Sequence, residues 1–379
     1  MRKVTVLLFT ASLLIAPGAV GAEYYSAAPI GYMVDMTSGK VLFDKNSNRK
    51  IAPASMAKMM TAYVVFDMIA SGKLKPETRF TVRPATWRAW NNTGSTMFLK
   101  PNEQVRVTDL LHGVVTLSGN DAAVVLAEGI AGSETAFVAR MNATAKKLGM
   151  KDSRFGTANG WPDKGWTLTT AHDLAVLGGQ TVEDFPLLYR QYYGQPGFRW
   201  NNVTQPNRNP LLGKIAGADG VKTGHTGEAG YCFTGTAEQN GRRIMLVVAG
   251  LNSMNARAEE SIKMMQWGFA DWRAQSLYKA GSAVARIPVQ LGTQSRIAVI
   301  APRDLALALP ANDAPRYKLI VRYSGPIKAP FKKGTQVAQL VAKFSDGTEQ
   351  AMPLVAAQSV TEAGFFGRVW NGLKFMVGA

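Results

Sequence analysis

The 379-residue sequence has one cysteine, three histidines and a shortage of acids, 26 against 43 basic residues. With Cys232 alone, a disulfide within the chain is excluded. His112, His172 and His225 are scattered, which leaves a site built from His and Cys ligands short of donors. There is no H-E-x-x-H pattern for a zinc peptidase and no G-x-S-x-G elbow for a Ser-His-Asp hydrolase. His112 and His172 read as packing or capping residues, and Cys232, in an apolar run, as a buried thiol. No metal or other cofactor is expected. No run is apolar over the ~20 residues that a membrane span needs. Positive charge is abundant instead: the formal net charge is +17. Such a balance ordinarily suggests nucleic acid or an anionic membrane surface. A hydrophobic fraction of 46% provides for a sizeable core and excludes wholesale disorder.

The two ends read as addresses. Met1–Arg2–Lys3 is a short basic start, and a mostly apolar run follows from Val4 to Ala16. Pro17 and Gly18 break that run, and Val20–Gly21–Ala22 supplies small residues at a cleavage spacing. Residues 1–22 are therefore expected to be a secretory signal peptide, cut before Glu23. Export would make a cytosolic nucleic-acid partner the wrong reading, so none is expected. At the other end, Phe365, Phe366, Val369, Trp370, Leu373, Met376 and Val377 fall on one face of a helix over 361–379. Arg368 and Asn371 lie opposite, and Phe375 falls off the apolar face. Such a helix can lie in the interface of an anionic membrane or dock on the protein's own core; the membrane is the expected partner.

Between the ends, Gly31–Asp35 and Lys40–Asp44 read as strands of a hairpin. Helical patterns follow over Ser55–Ala70, Val107–Leu117, Asp121–Ala131, Glu134–Leu148 and Thr170–Gly178. Gly230–Thr236 and Arg243–Leu251 return to strands, and Ala256–Arg273 to a helix. Strands at both ends of this region predict one mostly antiparallel sheet in an α+β domain over 23–275. From 276 to 360, short alternating runs at Ala283–Gln290, Arg296–Ile300, Tyr317–Tyr323 and Val337–Phe344 predict a small all-β domain. Charge density is higher towards the C-terminus: 276–379 hold 13 basic and 5 acidic residues, against 28 and 21 in 23–275.

With so little His and Cys, a serine nucleophile activated by lysine is the chemistry to search for. Residues at i and i+3 share a helix face, so Ser-x-x-Lys sets an amine beside a hydroxyl. The amine acts as a base at neutral pH only if burial or nearby positive charge lowers its pKa. Three copies occur, beginning at Ser47, Ser55 and Ser276. Only Ser55–Met56–Ala57–Lys58 enters a long apolar helix, where free amides favour developing negative charge. Ser118–Gly119–Asn120 lies between two helical patterns and can aim two side chains at one cavity; as a plain turn it would cap the following helix. Lys222–Thr223–Gly224 supplies a fixed charge, a hydroxyl and a glycine beside which a substrate backbone can lie. Each pattern alone is unspecific.

Their order is informative. Ser-x-x-Lys, Ser-x-Asn and Lys-Thr-Gly are the signature set of penicillin-binding proteins and serine β-lactamases. The surroundings at Pro53–Thr61, Ser95–Pro101, Leu117–Ala122, Asn207–Leu212 and Asp219–Thr226 add to the likeness. The sequence resembles the low-molecular-mass penicillin-binding proteins that are D-alanyl-D-alanine carboxypeptidases, over almost the whole chain after residue 22.

That resemblance implies a penicillin-binding protein/serine β-lactamase-like domain with a mostly antiparallel sheet and a helical subregion, followed by the all-β domain. The implied activity removes the terminal D-Ala from peptidoglycan stem pentapeptides through an acyl-enzyme, with β-lactams as covalent inhibitors. Ser55 would be the nucleophile, Lys58 its base, and Ser118 a proton relay to the leaving amine, helped by Lys222. Asn120 would bind the peptide, Lys222 and Thr223 the terminal carboxylate, with Gly224 beside it and Arg208 adding positive charge. The backbone amides of Ser55 and His225 would form the oxyanion hole. The implied location is outside the cytoplasmic membrane, with peripheral attachment through 361–379. Alternatives are a D,D-endopeptidase acting on crosslinks and a non-catalytic peptidoglycan-binding scaffold; a β-lactamase fits the long β domain less well.

Overall fold

Arg242–Leu251 is the most continuously apolar strand of the chain, and it takes a central place, as burial on both faces requires. The computed structural model describes residues 4–9 (as backbone), 23–313 and 315–364. In it a five-stranded sheet runs in the order Val41–Lys45, Ile30–Asp35, Arg242–Leu251, Gly230–Gln239, Ala218–Thr226, antiparallel throughout. Successive side chains of a strand point to opposite faces. A methyl group on Gly268, in the helix Met254–Ala270, would meet the side chains of Met33 and Ile244. One on Gly178, in the helix Ala171–Asp184, would meet Met245. The two helices thus cover opposite faces of the sheet, each through a glycine that permits close approach.

The helical subregion gathers around Lys58–Ala70, whose first nine residues are all buried. A helix apolar on every side belongs in an interior, and this one is surrounded by Val107–Val115, Asn120–Ala131, Glu134–Lys147 and Pro186–Tyr192. Phe66 meets Tyr192 at 5.6 Å and Phe185 at 6.0 Å between ring centroids. Arg242 Nε donates to Asp35 Oδ2 at 2.6 Å, and both side chains are buried. Pro84–Trp90 and Pro186–Tyr192 form short helices that no long period announced; each has proline in its first turn, where a missing N–H costs nothing.

The chain divides into two units, the larger comprising Tyr24–Met36 and Val41–Phe269, the smaller beginning at Ala270 and also taking in Thr37–Lys40. The break precedes the expected Ser276. The reason is that the helix expected to reach Arg273 stops at Ala270, and Trp272–Tyr278 is a strand paired with Leu305–Pro310. The smaller unit carries a seven-stranded sheet as well, including Ala283–Gln290, Arg296–Ile300, Tyr317–Ser324, Gln336–Phe344 and Glu349–Ala356. Leu305–Pro310 gave no alternation to read because both its faces are buried.

Two terminal expectations fall on segments that are described only in part. Val4–Phe9, read as the core of a leader, runs antiparallel to Tyr317–Ser324 as a strand of the smaller unit. The helix expected over 361–379 does not begin at 361. Glu362 bridges to Gly292, and the amide of Ala363 donates to Leu291 O at 2.9 Å, so the chain is extended there. Residues 365–379, with the amphipathic face, lie outside the described residues.

Candidate active site

The turn that carries Ser55 is not yet α-helical. Ala54–Ala57 is a 3₁₀ turn, and the α-helix begins at Lys58. With three residues per turn, side chains at i and i+3 eclipse, and Lys58 Nζ sits 3.0 Å from Ser55 Oγ. Lys58 is 1% exposed. Its other contacts are Asn120 Oδ1 at 2.8 Å and the carbonyl of Asn159 at 2.7 Å. Burial, then the positive charge of Arg208, lowers its pKa to about 7, against an opposing pull from Asp121. Near neutrality the amine can therefore be uncharged. Two N–H bonds then serve Asn120 and Asn159, and the lone pair is left for the Ser55 hydroxyl.

Ser118 lies between two helices at φ 64°, a left-handed conformation that is costly for a residue with a Cβ. It is buried and lines the same cavity as Ser55. The capping role is absent: Gly119 is the N-cap of the helix Asn120–Ala131, and no side chain caps it. Asn120 instead divides its amide between Lys58 and the carbonyl of Thr93, to which Nδ2 donates at 3.1 Å. Expected to bind peptide, it lines the cavity and also engages the base. Asp121 next to it holds a loop in place, accepting from Thr96 Oγ1 at 2.5 Å and from the amides of Met97 and Leu99.

Lys222–Thr223–Gly224–His225 runs along the edge strand Ala218–Thr226. A Cβ on Gly224 would lie 2.8 Å from Pro53 O, so the glycine lets this strand pass close to the nucleophile turn. Thr223 lines the cavity. Lys222 does not; it is 4% exposed and donates to Thr223 O at 3.1 Å. Burial, with the charges of Lys58, Arg208 and Arg257, holds its ammonium well below the usual lysine range. Lys222 is thus buried next to Thr223, which lines the cavity. Arg208 is in the wall and donates to Ser95 Oγ. The ring of His225 stacks on Tyr231 at 3.9 Å, its cross-strand neighbour.

The cavity has a volume of about 400 Å³ and no acidic residue in its lining, while Arg208 and Arg257 both line it. Several wall residues were not singled out from the sequence. Arg257 is on the helix Met254–Ala270, 5% exposed, with its guanidinium 5.8 Å from the Tyr231 ring. Asn159, Gly160 and Trp161 come from a loop opened by an Asn-Gly pair, a turn signal that carries no chemistry by itself. Gly160 has φ 72°, and a Cβ there would fall 1.9 Å from Ala54 O. Arg257 Nε and Asn159 Nδ2 are buried without a partner among the described residues. These are polar atoms that a ligand in the cavity would satisfy.

Residues 22–253 match the family described as D-alanyl-D-alanine carboxypeptidase, and residues 272–362 match the C-terminal domain of penicillin-binding protein 5. The chain is similar to D-alanyl-D-alanine carboxypeptidase DacC of Escherichia coli, at 36% identity over 94% of this chain and 92% of that one. Penicillin-binding protein 5 of Haemophilus influenzae has a similar structure, with a TM-score of 0.78 and 33% identity over 90% of this chain and 99% of that one. Penicillin-binding protein D2 of Listeria monocytogenes, solved with cefotaxime bound, superposes at a TM-score of 0.58 and 30% identity over 65% of this chain and 99% of that one. With Ser55, Lys58, Ser118 and Asn120 brought to one place and the β domain following, the chain belongs to the serine-type D-alanyl-D-alanine carboxypeptidases of the penicillin-binding protein fold.

Proposed function

We propose that the protein removes the last residue of peptides ending in D-Ala-D-Ala, with Ser55 as nucleophile and Lys58 as its base. The carrying observation is the 3.0 Å contact between the buried Lys58 amine and the Ser55 hydroxyl. In acylation the Ser55 proton passes to Lys58 Nζ while Oγ bonds to the penultimate carbonyl carbon. The oxyanion so formed is held by the backbone amides of Ser55 and His225. The C–N bond then breaks, and the leaving D-Ala nitrogen takes a proton through Ser118. Water hydrolyses the ester, regenerates Ser55 and releases the shortened peptide. Thr223, with Lys222 beside it, receives the substrate's terminal carboxylate, and Arg208 adds positive charge nearby. A β-lactam ring, opened by the same attack, leaves Ser55 acylated.

The test uses the chain without residues 1–22, incubated with penicillin and with a D-Ala-D-Ala pentapeptide. An adduct on Ser55 and release of D-Ala are expected, both absent in Ser55→Ala. An adduct without D-Ala release would favour the non-catalytic scaffold, and neither would overturn the assignment.

The location belongs to the same reading. A basic start, an apolar run and small residues before Glu23 support export, and the aromatic and basic pattern of residues 365–379 supports attachment to an anionic membrane. If deleting residues 365–379 leaves the protein in the membrane fraction, the anchor is elsewhere.

A further inference from the structure

A second groove, of about 660 Å³, lies outside the catalytic cavity and shares no lining residue with it. Its wall includes Lys146, Lys151, Arg154 and Trp166, with no acidic side chain. Lys146 is in the last turn of the helix Glu134–Lys147. Lys151 and Arg154 follow on the exposed segment leading away from that helix. None of the three cations has a carboxylate within 4.0 Å among the described residues. The nearby acids are engaged elsewhere: Asp152 pairs with Lys50 at 3.3 Å, Asp173 accepts from Ser153 Oγ at 2.8 Å, and Asp163, beside Trp166, accepts from Thr167 Oγ1 at 2.5 Å.

The aromatic member is held in place yet uncovered. The guanidinium of Arg154 lies 4.0 Å from the Trp166 ring, and its Nε donates to Trp166 O at 2.8 Å. Trp166 is nevertheless 58% exposed. The floor is rigid: Asn142 exchanges hydrogen bonds with the backbone of Phe155, and Met150 is buried. A large exposed indole beside uncompensated cations is suited to a ligand that has both carboxylates and a flat apolar face. The groove and the catalytic cavity are joined by one loop. Asn159, which holds Lys58, and Trp161 line the cavity, and Trp166 on the same loop lines the groove. Seven Cα–Cα steps lead from Asn159 to Trp166, so their backbones are at most about 25 Å apart.

We infer that this groove is a second contact for polymeric peptidoglycan, engaging a neighbouring stem peptide and its sugar while another stem is in the catalytic cavity. Lys146 and Lys151 pair with carboxylates of that stem, and the free surface of Trp166 meets the apolar face of a sugar ring. The inference rests on the stem-peptide reading of the catalytic site. Its occupant is charge-matched, since wall peptides carry free carboxylates and the groove carries only cations.

The experiment compares the wild-type chain with Lys146→Gln/Lys151→Gln and with Trp166→Ala. Each is given a soluble D-Ala-D-Ala pentapeptide and insoluble peptidoglycan rich in pentapeptide, and cosedimentation with the insoluble polymer is measured alongside D-Ala release. Both variants should match the wild type on the soluble peptide. On the polymer, the double variant should lose about five-fold in apparent affinity, and the wild type should lose affinity as salt is raised. Trp166→Ala should weaken polymer binding without changing its salt dependence. Equal behaviour of all three proteins on the polymer would overturn the inference, as would equal losses on both substrates. So would loss of binding to phosphatidylglycerol vesicles with polymer binding retained, since the groove would then serve the membrane. If even the wild type released no D-Ala from either substrate, the carboxypeptidase reading would fail, and cosedimentation would still report on the groove.

Discussion

Asn120 Oδ1 accepts a hydrogen bond from Lys58 Nζ at 2.8 Å, inside a pocket where both residues are buried. A neutral amide there orients the amine but stabilises its charge only weakly. A carboxylate would stabilise it strongly. Asn120→Asp should therefore raise the Lys58 pKa by more than about a unit and cut β-lactam acylation at neutral pH at least about five-fold. Stopped-flow acylation across pH checks this: the activity should return as pH is raised. An unchanged profile would mean that Lys58 is not the base.

The wild-type profile has its own sign. Lys58 must be uncharged to take the Ser55 proton, and its pKa is lowered to about 7. Acylation should rise with pH through about 7 and then level, falling roughly ten-fold per unit well below that value. Rates of penicillin acylation between acid and mildly alkaline pH test it. A flat profile across the neutral range would contradict the depressed pKa.

Gly160→Ala should damage the nucleophile turn from across the cavity. The new Cβ would fall 1.9 Å from Ala54 O, at a backbone φ of 72° that suits glycine. Steric conflict and left-handed strain together should cost at least about 2 kcal/mol of stability. Thermal unfolding and labelled-penicillin binding should both fall. Retention of full acylation at an unchanged Tm would show that the loop yields more easily than the close approach indicates.

Asp35 and Arg242 form a buried pair far in sequence, at 2.6 Å. Asp35→Asn leaves the guanidinium charge without its buried counterion, which should cost about 3–5 kcal/mol. Denaturant unfolding should show the loss. The acylation rate per folded molecule should stay close to wild type, because neither residue lines the catalytic cavity.

The sequence alone carried the class of chemistry. A chain poor in His and Cys, with Ser-x-x-Lys, Ser-x-Asn and Lys-Thr-Gly in that order, already pointed to Ser55 and Lys58, because an i,i+3 spacing is a local relationship. It also carried the strand-rich ends and the helical middle of the catalytic domain, through hydrophobic periods that need no partner to be read. It did not mark the start of the smaller unit. Trp272–Tyr278 and Leu305–Pro310 are strands by virtue of each other, and pairing across the intervening chain leaves no local trace.

Tertiary structure decided what makes the lysine a base. Its burial, the Asn159 carbonyl and the Arg208 charge come from separate stretches of chain. So do Arg257 and Trp161, which line the cavity although neither stands in a recognisable motif. Placement also gave two residues further partners: Asn120, in the cavity wall, bonds to the base, and the buried Lys222 bonds to the Thr223 carbonyl. Motif order names the groups that react. Desolvation and long-range electrostatics set their pKa values, and those depend on which distant segments the fold brings within a few ångströms.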